Sequence, residues 1–103
     1  MDKDEALKIV KNYTDLLIEN FKPSKIYLYG SFANGNWSSD SDIDVAVVVK
    51  SLKLDYLQSL SLLYKIRREI NSNIEPTLFI EGKDPSGFLE NIINTGEIIY
   101  SSN

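Results

Sequence analysis

Two carboxylates, Asp42 and Asp44, open the apolar run Val45-Ala46-Val47-Val48-Val49, and a glycine-serine pair, Gly30-Ser31, precedes them by a short loop. Alternate residues of a strand face the same way, so on a predicted strand Asp42 and Asp44 project from one face with Cα atoms about 6.6 Å apart, at a rise of about 3.3 Å per residue. Carboxylates so placed converge on shared cations. Oxygen-only ligands suit Mg²⁺, and a pair of such ions about 3.5–4 Å apart is the usual device for in-line displacement at phosphorus. Gly30 follows the alternating, aromatic and β-branched stretch Lys25-Ile26-Tyr27-Leu28-Tyr29, which reads as a strand, so the glycine-serine turn lies at a strand's end. There glycine lets the backbone approach a ligand, and N–H groups opening a short helix, with the Ser31 hydroxyl, bind phosphate oxygens. Apart, each half is ordinary: Gly-Ser turns are common, and Asp-x-Asp before a strand is more often a solvated turn or a cap. Together they describe a phosphate clamp beside a metal-binding pair.

A third carboxylate stands in Ile74-Glu75-Pro76-Thr77-Leu78-Phe79-Ile80, which reads as a later strand. Proline cannot donate to a ladder, so Pro76 belongs at the strand's start or on an edge, and it keeps Glu75 extended. That position suits a carboxylate at a sheet end; the plainer alternative is a solvent-facing glutamate near an edge.

Gly30-Ser31-Phe32-Ala33-Asn34-Gly35 followed by Asp40-Ser41-Asp42-Ile43-Asp44 resembles the signature of the DNA polymerase β-type nucleotidyltransferase superfamily. Within it the chain most resembles the minimal nucleotidyltransferases, small bacterial and archaeal proteins often paired with a HEPN-domain partner as antitoxin and toxin. The resemblance implies a polymerase β-like α+β core, with ATP as nucleotide donor and two Mg²⁺ ions. It assigns Gly30 and Ser31 to the β- and γ-phosphates and Asp42 and Asp44 to the metals. Glu75 matches, in order and context, the third acidic residue that completes the metal site or accepts the proton of the attacking hydroxyl. The implied acceptor is a tyrosine hydroxyl on the HEPN partner, which adenylylation would silence. Many members carry Arg where this chain has Asn34, so a contact made by that arginine is not carried over.

The elements that must position these residues follow from spacing. Asp2 with Glu5 caps a helix over about residues 3–20, whose stripe Ala6, Ile9-Val10, Tyr13, Leu16-Leu17 and Phe21 is core packing. Leu52 to Ile70 carries the longest helical pattern, with Leu57, Leu60, Leu63, Ile66 and Ile70 on one side. Lys65, Arg67 and Arg68 at its end read as dipole complement and solvated face, with a phosphate or acidic-partner contact as the sharper alternative. Asp84-Pro85 starts a further helix that Gly96 closes, Glu97 to Tyr100 adds a short strand, and residues 101–103 read as a frayed tail. Trp37 is expected to fold back over the domain edge, with base stacking as the rival role, and Asp40 to sit in the turn binding backbone N–H groups, a weak third candidate for metal. The sum is an α+β fold, one domain over 1–103, with a mixed sheet of three to four strands backed by helices.

Composition narrows the chemistry. The chain has 103 residues, of which 43% are hydrophobic and 25% charged, enough for a core but not for a separate substrate-recognition domain. It would fold alone or as a homo-oligomer. Eleven Lys and Arg against fifteen Asp and Glu leave a net charge of −4 with no basic run, which argues against a long nucleic-acid substrate. The absence of cysteine and histidine removes disulfides, thiol nucleophiles and histidine acid/base catalysis, leaving carboxylates as the catalytic groups. No apolar stretch reaches the roughly 20 residues of a membrane span, and the first residues are no signal-peptide start, so a cytoplasmic location is expected. Two rivals remain beside protein adenylylation: a degenerate transferase that neutralises a partner by occlusion, and a small-molecule, drug-modifying transferase with an acceptor pocket at a dimer interface.

Overall fold

The computed structural model describes residues 1–102. Helix α1 (Lys3–Phe21) starts where the Asp2 carboxylate accepts the Glu5 N–H at 2.9 Å, and it ends at Lys22, which turns left-handed (φ 52°). Strand β1 (Lys25–Tyr29), the single-turn helix α2 (Ser31–Asn34) and strand β2 (Ile43–Val49) follow, then α3 (Tyr56–Arg68), β3 (Ile74–Ile80), α4 (Phe88–Thr95) and β4 (Glu97–Ser101). One sheet runs in the order β3-β2-β1-β4. β1 pairs antiparallel with β2 and β4, whereas β2 and β3 are parallel, the crossover being carried by α3. The sheet is therefore mixed, as expected, and Pro76 sits in an edge strand, where its missing N–H is tolerated. The opposite edge is β4, whose Ile98 is 53% exposed.

Strand alternation sorts the side chains onto two faces. One carries Ile26, Leu28, Ile43, Val45, Val47, Ile74 and Leu78 against Val10, Tyr13 and Leu17 of α1 and Leu63 and Ile66 of α3. The Tyr13 hydroxyl donates to the Leu63 carbonyl at 2.8 Å, tying the two helices together, and burial pushes its pKa upward. The other face carries Tyr27, Ala46 and Val48 beneath Leu89 and Ile92 of α4, which covers only part of it. The uncovered part holds the carboxylates.

Element ends differ from the sequence expectation where capping overrides periodicity. α3 begins at Tyr56, because the Asp55 carboxylate accepts the Gln58 N–H at 2.8 Å and sets the N-cap there, leaving Leu52 and Leu54 outside and Leu57 74% exposed. Asp84 does cap α4, but from a distance: its carboxylate accepts the N–H groups of Leu89 (3.1 Å) and Glu90 (3.0 Å), with a left-handed Gly87 between. The expected frayed tail is instead paired, Ser101 with Lys25 and the Ser102 N–H with the Ser24 carbonyl at 2.9 Å; Asn103 lies outside the described residues. Among the described residues no helix is long and apolar enough to cross a membrane.

The junction between α4 and β4 has no slack. A Cβ on Gly96 would lie 2.7 Å from the Ile92 oxygen and 2.8 Å from the Leu28 oxygen, both backbone atoms that no rotamer change can move. Gly96→Ala is expected to cost about 1–3 kcal/mol, the usual range for overpacking. At roughly 4–8 °C per kcal/mol for a domain of 60–100 residues, thermal melting followed by circular dichroism would show it. An unchanged melting temperature would mean that this junction yields.

Candidate active site

Three strands bring the polar residues of the open face into one row. Tyr29 of β1 is the register partner of Asp44 on β2, and Asp44 is the partner of Glu75 on β3. The Ile43 N–H donates to the Asn73 carbonyl at 2.8 Å, which levels the starts of β2 and β3 and so keeps Asp44 and Glu75 side by side. Asp42 lies one residue ahead of β2 rather than within it, exposed, on the same side as Asp44 by the two-residue alternation.

Gly30 closes the row from below. Its backbone (φ 74°, ψ −150°) is one that side-chain-bearing residues avoid, and a Cβ there would strike the Asp44 carboxylate, lying 3.0 Å from Cγ. Its carbonyl accepts the N–H groups of Ala33 (3.1 Å) and Asn34 (3.0 Å), which starts α2 with Ser31 as the first helical residue. The first N–H groups of a helix have no partner within it, so they are left for a ligand. Gly30, Ser31, Asp42 and Asp44 are thus brought together.

Two neighbouring expectations resolve structurally. Trp37 folds back and stacks on the buried Phe32, with ring centroids 5.8 Å apart and planes 13° from parallel. Asp40 stays exposed in its turn, but the hydroxyls of Ser41 and Ser38, not its carboxylate, accept the turn's N–H groups from Ser38 (2.8 Å) and Asp40 (3.4 Å).

The row is electrostatically crowded. Burial, followed by the negative charges of Asp42 and Glu75, raises the pKa of Asp44 above its ordinary value of 3.8. Tyr29, whose hydroxyl is 2.9 Å from Thr77 Oγ1, is also raised, mainly by burial and further by Asp44 and Glu75. Arg67 Nη1 stands 3.6 Å from Glu75 Oε1. Among the described residues no group of three Asp or Glu side chains is gathered closely enough to enclose a metal ion by itself. A divalent cation nonetheless fits the donor set. Mg²⁺ is usually held by one or two carboxylates plus substrate phosphates, and Asp42 and Asp44 supply such a pair, destabilised without a cation, beside the Gly30-Ser31 turn.

Arg67 is the residue that sequence reasoning misplaced. Lys65 and Arg68 are exposed, as the solvated-face reading expects, but Arg67 is turned under the end of α3 toward β3. Only the shortness of Asn71-Ser72-Asn73, which returns the chain directly beneath the helix's last turn, could have hinted at it. A cavity of about 560 Å³ lies at the far end of β2 beside Lys50, and none of the five site residues lines it.

Comparison with known proteins agrees with this geometry. Residues 11–103 match the family model "Polymerase beta, Nucleotidyltransferase". The chain is 30% identical over 97 residues to the Methanocaldococcus jannaschii protein MJ0604, provisionally named a protein adenylyltransferase, across 90% of this chain and 96% of that protein. A crystal structure of a provisionally assigned nucleotidyltransferase from Sulfolobus solfataricus superposes with a TM-score of 0.73 at 21% identity, covering 97% of this chain and 84% of that one. A toxin–antitoxin crystal structure with AMP-PNP gives 0.67 at 23% identity, covering 90% and 74%. The toxin–antitoxin pair MntA-HpeT gives 0.66 at 24%, covering 89% and 72%.

The crowding of Asp44 has a measurable sign. Its raised pKa means that the folded state binds this proton more tightly than the unfolded one, so the group's contribution to stability falls as pH rises from 3.8 through the folded value. Asp44→Asn should therefore melt higher than the wild type at pH 7 without divalent cations, by a margin that closes toward pH 3, and added Mg²⁺ should raise the wild type more than the variant. A lower melting temperature for Asp44→Asn at pH 7 would show the carboxylate to be compensated rather than crowded.

Proposed function

The chain belongs to the Polymerase beta, Nucleotidyltransferase family and is a nucleotidyltransferase, and from that premise we propose that it transfers AMP from ATP to a hydroxyl on a protein partner. The reaction depends on Mg²⁺, and the chain acts in the cytoplasm as the antitoxin of a pair whose toxin is a HEPN-domain protein. The observation that carries the reading is the Tyr29-Asp44-Glu75 row with Gly30 packed against Asp44, which sets a phosphate-binding turn beside a carboxylate pair. The name of MJ0604 and the likeness to MntA-HpeT support a protein acceptor. So does the net charge of −4, which disfavours a nucleic-acid acceptor.

In this reading the N–H groups at the start of α2 and the Ser31 hydroxyl bind oxygens of the β- and γ-phosphates, orienting the triphosphate. Asp42 and Asp44 hold the cations. When bound, divalent cations neutralise charge on the phosphates and on the departing pyrophosphate. Glu75, on the far side of Asp44 from Gly30, takes the proton of the acceptor hydroxyl as its oxygen bonds to the α-phosphorus and the bond to pyrophosphate breaks. The acceptor hydroxyl is carried by the partner and reaches the row from its open face.

Affinity and rate measured on the same variants separate these roles. Asp42→Asn and Asp44→Asn should lose Mg²⁺-dependent binding of a non-hydrolysable ATP analogue and transfer together. Glu75→Gln should keep nucleotide affinity while transfer falls about 10²–10⁴-fold, the usual worth of a general base. Calorimetry gives the first quantity and transfer of labelled AMP to a supplied HEPN partner the second. Undiminished transfer by Asp44→Asn would refute the reading, and a matching loss of affinity in Glu75→Gln would make Glu75 a third metal ligand instead.

A further inference from the structure

We infer that Arg67 is a positioning residue for transfer: it fixes the start of β3 and holds the Glu75 carboxylate in the row beside Asp44, a role resting on the reading of Glu75 given above. Arg67 is in the last turn of α3, where a basic side chain satisfies the helix dipole equally well from solvent. Instead its side chain is 21% exposed and its guanidinium runs under the helix end. Nη1 donates to the carbonyls of Ser72 (3.3 Å) and Ile74 (3.1 Å) and lies 3.6 Å from Glu75 Oε1. The guanidinium carbon sits 4.7 Å from the centre of the Tyr64 ring, on which it rests.

These contacts converge on one point. Ile74 is the residue before Glu75, so a single guanidinium grips the backbone on the near side of Glu75 and its carboxylate as well. On the far side Pro76 fixes φ and removes an N–H. Glu75 is thus held from both directions, and the register with Asp44 places it in the row. Stability does not account for the arrangement. The Glu75 side chain is 45% exposed, so the ion pair is a half-solvated one of small worth, and Arg67 Nε is buried with no hydrogen-bond partner, an arrangement that folding alone disfavours. Lysine could supply the charge but has no plane to lie on Tyr64.

A general base displaced by about 1 Å can lose roughly 10²-fold in rate. Arg67→Met, which keeps the apolar stem, should lower kcat for AMP transfer about 10–10²-fold and leave KM for Mg²⁺-ATP within about twofold. Arg67→Lys should recover only part of that loss. The deciding measurement is the double variant: in Glu75→Gln, which has no carboxylate to hold, adding Arg67→Met should cost less than about twofold, because coupled residues are not additive. Melting temperatures of all variants identify any loss due to unfolding, and if Arg67→Met does not fold, Arg67→Lys takes its place in the same cycle. Full activity in Arg67→Met, additive losses in the double variant, or a loss lying mainly in KM for ATP would overturn the assignment while leaving the catalytic reading of Glu75 in place. Full activity in Glu75→Gln alone would overturn both.

Discussion

The site depends on one close approach, that of the Asp44 carboxylate to a backbone position that must have no side chain. Gly30 ends β1 in a left-handed conformation and leaves the space that the carboxylate occupies. Any larger residue would push Asp44 out of the row or the turn away from the sheet. Because Tyr29 and Asp44 are register partners, the glycine cannot shift along the strand without breaking the ladder. The glycine-serine turn and the carboxylate pair are therefore one unit, built across the β1–β2 pairing.

That unit is held by a core on the other side of the sheet. Ile43 and Val45, the neighbours of Asp44 in sequence, are fully buried against α1 and α3 and anchor the strand that presents it. Burial raises the pKa of Asp44, two further negative charges add to it, and among the described residues no cationic side chain pairs with it as Arg67 pairs with Glu75. The well-packed apolar face is what makes that tolerable in a chain of 103 residues.

Much of this was legible in the sequence because it rests on short-range rules. Alternation in Lys25 to Tyr29, the apolar run after Asp44 and the proline after Glu75 give the strands, and β3 begins and ends where its pattern does. The glycine-serine turn with Asp-x-Asp was readable for the same reason: its parts are close in sequence. Capping decided what periodicity could not, and Asp55, rather than the first leucine of the pattern, set the start of α3. The pairing of Arg67 with Glu75 was out of reach, since it depends on how tightly Asn71 to Asn73 folds back, and a basic cluster at a helix end looks the same whether or not one of its members turns inward.

The two sheet edges differ in a way that bears on assembly. β3, which carries Glu75, is an outer strand interrupted by a proline, and proline on an edge leaves an incoming chain one donor short. β4, at the other side, has no proline and exposes Ile98. Intermolecular strand addition is thus discouraged beside the carboxylates and left open at the remote edge, so a second chain pairing with the sheet would extend it away from the Asp44-Glu75 row.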